Sequence, residues 1–346
     1  MQYGNIDLSR ILQLAEEQAV VGLVAAGLEH LVDYKPQKDE VLQVIGRSMQ
    51  LERRNQAMNE FIARLFERLN EENVYSVLVK GQGIAQCYER PLWRTSGDID
   101  LLLSKSNYEK AKQFLVPLAV NVENEYKSFM HLGMRMKGGH VVELHGTMHT
   151  RLSRRVDKGV DEVQRSVFHK GHVRSWICGK TQVFLPRADE DVIFVFTHIL
   201  HHFFMEGIGL RQICDWCRLL WTYKDLLNHG LLESRIRKLG LMSEWQAFAT
   251  FAVEYLGMPM EAMPMYSASK KWSMKAEGIL SFVLASGNFG HNRQYKSSNN
   301  QAVSKVLSAW YKTGVFFRHF RLFPLDSVKF LCHFMGNGIG LVVDKI

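Results

Sequence analysis

Two aspartates interrupt an apolar, strand-like run, and this pattern constrains the chain more than any other feature in it. The run is Gly97-Asp-Ile-Asp-Leu-Leu-Leu103, and upstream of it stands Val77-Leu-Val-Lys-Gly-Gln-Gly83. Side chains alternate across a strand, so Asp98 and Asp100 share one face while Ile99 and Leu101 share the other. Like charges that close repel, and such a pair persists where a cation neutralises it. Hard oxygen ligands, with no Cys or His at liganding spacing, favour Mg²⁺ or Mn²⁺. A third acid, Glu143, interrupts Val141-Val-Glu-Leu-His145, where a charge is again costly unless it faces a site. Three acids on neighbouring strands suffice for metal-assisted phosphoryl or nucleotidyl transfer. The upstream stretch reads as strand, glycine turn and helix, so the N–H groups of Gly81 to Gly83 form a place for phosphate oxygens. Lys80 and Arg94 supply nearby positive charge.

The surrounding text places these motifs in an α+β chain. Helical spacing runs from Ile6 to about His30 and from Asp39 to about Asn73. Short β-rich runs then occupy 74–79, 99–103, 129–136, 141–145, 173–178 and 183–185, with helices at 84–88 and 106–115. Lys137-Gly-Gly139 and Cys178-Gly-Lys180 are hairpin turns, so this half of the sheet is expected to be antiparallel. From Asp189 onward the pattern is helical. The expected organisation is N-terminal helices over 1–73, a mixed β-sheet with flanking helices over 74–186, and an all-helical domain over 187–346.

Charge and cysteine content narrow the function further. Lys plus Arg exceed Asp plus Glu by 43 to 35, a formal +8, which favours an anionic ligand without naming it. The longest uncharged runs fall short of the roughly 20 residues that span a bilayer. The first residues carry no basic and apolar leader pattern, so a cytoplasmic setting is expected. Five scattered cysteines fit reduced thiols, and the lone C-x-x-C at Cys214 and Cys217, without a second pair, reads as buried helix cysteines. His198 and His202 lie one helical turn apart, with Glu206 a turn further on, and are expected on the face where the helical domain meets the sheet. Basic text at 151–180 and 293–329 reads as solvated faces, and the aromatics of Trp310 to Phe323 as core, so a nucleic-acid partner is not favoured.

The arrangement Lys80-Gly81, Arg94, Gly97-Asp-Ile-Asp100, Glu143-Leu-His145 and the helical text from His198 to Asp215 resembles the uncharacterised nucleotidyltransferases of bacteria, within the DNA polymerase β-type superfamily. It covers roughly Val41 to Leu220. The resemblance implies two metal ions at Asp98, Asp100 and Glu143, and an NTP donor such as ATP held by Lys80, Gly81, Gly83 and Arg94. It implies transfer of a nucleoside monophosphate to an acceptor hydroxyl, with a small molecule as the default acceptor. The chain departs from the superfamily in having Gln82 after Gly81, and Glu rather than Asp as third acid, which moves Glu143 towards a general-base role. The rival reading is a non-catalytic nucleotide-binding or antitoxin-like partner protein that keeps the fold.

Overall fold

A computed structural model describes residues 7–32, 36–205, 207–288 and 319–329. The chain divides into two compact units, Met1–Met148 with Val163–Val192 and His149–Glu162 with Ile193–Ile346. The N-terminal helices thus share a unit with the sheet, where the sequence texture set residues 1–73 apart.

The first unit begins with α1 (Leu8–Glu17) and α2 (Val21–Leu28). The single helix expected here is two, because Ala19 takes a φ of +56°, outside the right-handed helical region. α3 (Lys38–Glu71) is the long helix, and the Glu40 carboxylate accepts the Gln37 N–H at 2.8 Å to close its first turn. Next come β1 (Ser76–Val79), the short α4 (Gly81–Ala85), β2 (Asp98–Leu103), α5 (Lys105–Leu115), β3 (Ala119–Val122), β4 (His131–Met136) and β5 (Val141–His145). These five strands form one sheet in the order β1-β2-β5-β4-β3. β2 and β5 run parallel, and the other neighbouring pairs are antiparallel.

Alternation along the strands sorts the sheet into two unlike faces. Ile99, Leu101, Leu103, Leu132, Met134, Val142 and Leu144 turn to one side and pack with Met58, Ile62, Leu65 and Phe66 of α3 and Tyr108 and Ala111 of α5. Each such fully buried Leu or Ile contributes about 1.5–3 kcal/mol. The opposite face carries Asp98, Asp100, Glu143, His131 and His145, in register with one another.

Three elements differ from expectation. The charged text after Arg151 folds into α6 (Arg154–His169), whose Val156, Val160, Val163 and Val167 are buried at helical spacing. β6 (Val173–Cys178) and β7 (Thr181–Pro186) pair antiparallel but make a separate two-stranded sheet, not an extension of the large one. Cys178, Val183 and Leu185 of this hairpin join the core that α3 covers, so burial and not ladder hydrogen bonding places it. The short helix starts at Gly81 rather than Ile84.

The second unit is helical. α7 (Ala188–Met205) leads into it, followed by α8 (Leu210–Thr222), α9 (His229–Leu239), α10 (Met242–Leu256) and α11 (Lys270–Ser286). Phe196, Trp216 and Trp245 pack together in its core, mostly edge to face, with ring centroids 4.8 to 5.2 Å apart. Cys214 and Cys217 are free thiols in α8, and burial pushes the Cys214 thiol up to about 12, which suits packing and not reactivity. Among the described residues no helix is long and apolar enough to cross a membrane. Glu206 and most of the basic 293–329 stretch lie outside the described residues.

Candidate active site

The site is assembled where β1 ends and where β2, β5 and β4 lie side by side. Asp100 on β2 stands opposite Glu143 on β5 in the parallel register, and Glu143 stands opposite Gly133 on β4. Ligand oxygens of Asp98, Asp100 and Glu143 all lie within 4.8 Å of one another. All three are oxygen donors of carboxylate type, so the set fits a hard divalent cation such as Mg²⁺ or Mn²⁺.

Positive charge comes to this cluster from β1. Lys80 leaves the strand at φ +56°, ψ −146°, an unusual conformation for a residue with a side chain, and turns its ammonium to within 2.7 Å of Asp100 Oδ1. Gly81 follows at φ +41°, and a Cβ there would come within 3.3 Å of the Asp98 carbonyl oxygen. The turn that aims Lys80 therefore requires glycine next to it. His145 Nε2 lies 2.7 Å from Asp100 Oδ1 and 3.3 Å from Glu143 Oε2, and His131 Nε2 lies 3.2 Å from the same Glu143 oxygen.

These contacts divide the three acids. The Asp98 carboxyl is raised, first by the charge of Asp100 and then by burial. Burial alone would raise Asp100, but Lys80 and then His145 more than offset it and hold the carboxyl below the ordinary range. Glu143 is lowered in the same sense, burial being outweighed by its hydrogen bonds with His131 and His145. Burial opposes charge on Lys80 and His145 as well, yet the surrounding carboxylates raise both. The cluster is thus a compact arrangement of carboxylates whose basic neighbours are held towards their charged forms.

Arg94 and Gly83, also singled out in the sequence, make contacts within the surrounding structure. Arg94 is 5% exposed, and its Nη1 donates to Thr95 O at 3.2 Å and Ser96 Oγ at 3.1 Å, bracing the loop that enters β2. Gly83 packs under β7, where an added Cβ would come within 2.8 Å of a Leu185 methyl carbon. Gly83→Ala is expected to cost about 1–3 kcal/mol through this overlap. In a thermal or urea unfolding series the double variant Gly83→Ala/Leu185→Ala should lose less stability than the sum of the two single losses. Full additivity would show that Gly83 is not there for this packing.

Residues the sequence reading passed over also shape the site. Asn55 of α3 donates to the carbonyls of Leu92 and Arg94 at 2.7 and 2.8 Å, and Gln82 donates to Asn55 Oδ1 at 2.9 Å. This buried amide pair ties α3 and α4 to the loop before Asp98. No spacing rule marks it. His131 is the larger omission, because with His145 it places imidazole nitrogens on acids assigned to oxygen-only chemistry. His198 and His202, on α7, stand with their Nε2 atoms 3.1 Å apart.

Residues 4–257 match the family model described as uncharacterised nucleotidyltransferase. The chain belongs to this family. As a nucleotidyltransferase it can be set beside solved structures. A nucleotidyltransferase-like antigenic protein from Paracoccidioides brasiliensis is 13% identical with a TM-score of 0.35, covering 61% of this chain and 94% of that one. The CCA-adding enzyme of Thermotoga maritima, solved with tRNA, is 11% identical with a TM-score of 0.21, covering 79% and 77%. Both likenesses are too distant to assign a substrate. No curated protein matches the sequence.

Proposed function

We propose that this nucleotidyltransferase uses Mg²⁺ or Mn²⁺ at Asp98, Asp100 and Glu143 to move a nucleoside monophosphate from an NTP to an acceptor hydroxyl on a small molecule. The single observation that supports this most is the convergence of three carboxylates from two parallel strands on one sheet face. The acceptor oxygen forms a bond to the α-phosphorus and gives up its proton to solvent, the α–β bridging P–O bond breaks, and pyrophosphate leaves with its electron pair. A divalent cation bound there neutralises phosphate charge and favours ionisation of the attacking hydroxyl.

The protein's own groups have distinct parts in this reading. Lys80, kept protonated by the acids around it, is placed to meet the charge of the triphosphate. The N–H groups of Gly81 to Gly83 open α4 and in this reading are the donors to phosphate oxygens. Arg94 contributes by holding the loop of Asp98. Glu143, with its carboxyl lowered, is a weak proton acceptor and serves better to hold and orient than as a general base.

The test combines binding with turnover. NTP and Mg²⁺ together, at about a hundred times the dissociation constant, should stabilise the protein by roughly 2.7 kcal/mol. At about 2 to 4 °C per kcal/mol, the melt should rise by several degrees. Nucleotide or metal alone should give less, since either leaves charge uncompensated. Pyrophosphate should appear when a pool of hydroxyl compounds is added. A shift without pyrophosphate release from any acceptor would favour a protein that binds nucleotide without turnover, and no shift with Mg²⁺ or Mn²⁺ would end both readings.

A further inference from the structure

His131, Glu143 and His145 form a second cluster on the same sheet face, one strand further from the aspartates. His131 and His145 sit directly opposite each other on β4 and β5, with ring centroids 4.8 Å apart. Glu143 lies two residues before His145, so it projects from the same face. The residue opposite it is Gly133, whose missing side chain leaves room for the Glu123 carboxylate, since a Cβ there would come within 2.7 Å of Glu123 Oε2. Both imidazoles turn Nε2 towards a single carboxylate oxygen of Glu143, at 3.2 and 3.3 Å.

Hydrogen bonding alone accounts poorly for this convergence. A ring nitrogen carries at most one proton. His145 Nε2 lies 2.7 Å from Asp100 Oδ1 but 3.3 Å from Glu143 Oε2, beyond the usual hydrogen-bond range, so the second approach is weak as a hydrogen bond. The spacing does suit a shared metal ion. With bonds of 2.0–2.1 Å, two ligands of a tetrahedral zinc ion stand about 3.3 Å apart. Two imidazoles and one carboxylate are also the donor set of open transition-metal sites, and imidazole selects such ions over Mg²⁺. His131 and His145 are 25% and 13% exposed in their side chains, enough for an ion to reach them.

We infer that His131, Glu143 and His145 constitute a binding site for a divalent transition-metal ion of the zinc or cobalt class, adjoining the aspartates and sharing Glu143 with them. The site rests on the geometry of β4 and β5 and not on the nucleotide-transfer reading. An ion there would pin one oxygen of Glu143 and leave the other free to face Asp98 and Asp100.

Cobalt titration of the full chain, without nucleotide, tests the inference. Co²⁺ should bind at about one equivalent with the strong visible absorption of a four-coordinate ion bearing nitrogen ligands, and Zn²⁺ should bleach it. His131→Gln keeps a hydrogen-bond donor for Glu143 but loses the imidazole. It should weaken Co²⁺ at least about tenfold, since even partners one shell out from a metal are worth 10–100-fold. Asp98→Asn should retain the absorption while losing pyrophosphate release, so the two sites fail separately. The inference is overturned if the wild-type protein gives only the faint absorption of six-coordinate oxygen ligation, a result independent of any variant's folding. It is equally overturned if His131→Gln binds Co²⁺ as tightly as the wild type.

Discussion

Asp100→Asn will lower NTP-dependent pyrophosphate release by roughly a thousandfold, the equivalent of about 4 kcal/mol of charge stabilisation in the transition state. Asp98→Asn should cost activity to a similar degree, but the two variants should part in stability. Asp100 is 2% exposed and holds the Lys80 ammonium and His145 at 2.7 Å each, so its neutralisation leaves buried positive charge less compensated and lowers the melting temperature. Asp98 is pressed by the charge of Asp100, and removing its own charge relieves that repulsion. Its melting temperature, measured without divalent metal, should stay level or rise, the pattern of a residue kept for function at a cost in stability. A folded Asp100→Asn protein with full activity would refute the metal assignment, and a large fall in the melt of Asp98→Asn would refute the repulsion.

Arg174→Met should remove about 3–5 kcal/mol of stability near neutral pH, because it strands a buried carboxylate. Arg174 Nη2 donates to Asp191 Oδ2 at 2.6 Å, while Asp191 Oδ1 is buried and finds no hydrogen-bond partner among the described residues. Burial lifts the Asp191 carboxyl to about 6 from 3.8, even with Arg174 pulling it down. The sign follows from that direction. Between those values the folded state binds the proton more than the unfolded chain does, so this group's contribution to stability is fully present below 3.8 and is lost as pH rises through about 6. Without Arg174 the folded value moves higher still and the window extends upward. Urea unfolding at pH 5 and pH 8 should therefore show a much smaller loss at pH 5, and equal losses would mean that the pair is not an electrostatic one.

The legible part of this molecule is the part that depends on neighbours in sequence. Period-two alternation in 98–103 and 141–145 is enough to separate acids from apolar residues, and it puts His145 on the face of Glu143 as surely as it pairs Asp98 with Asp100. The helical stripe of valines in α6 was equally present, but dense charge around it masked the spacing. His131 is different: it meets Glu143 only through the antiparallel register of β4 and β5, closed at the Lys137-Gly-Gly139 turn, where the Met136 N–H reaches the His140 carbonyl at 2.8 Å. The Asn55–Gln82 amide pair depends on the docking of α3 beside α4, which leaves no periodic trace.

The sequence by itself determined that the chain is α+β, that two strands carry charge on one face only, and that a glycine turn precedes them. These follow from local alternation and turn chemistry, which each residue carries wherever the strand is placed. Tertiary structure alone decided that β2 and β5 run in parallel with Asp100 opposite Glu143, that β6 and β7 form a separate sheet instead of joining the large one, and that Lys80 and His131 close on the acids. Register and strand order are set by burying one apolar sheet face under α3 and α5 as a whole, a sum over residues distant in the chain, and so no short stretch of sequence records them.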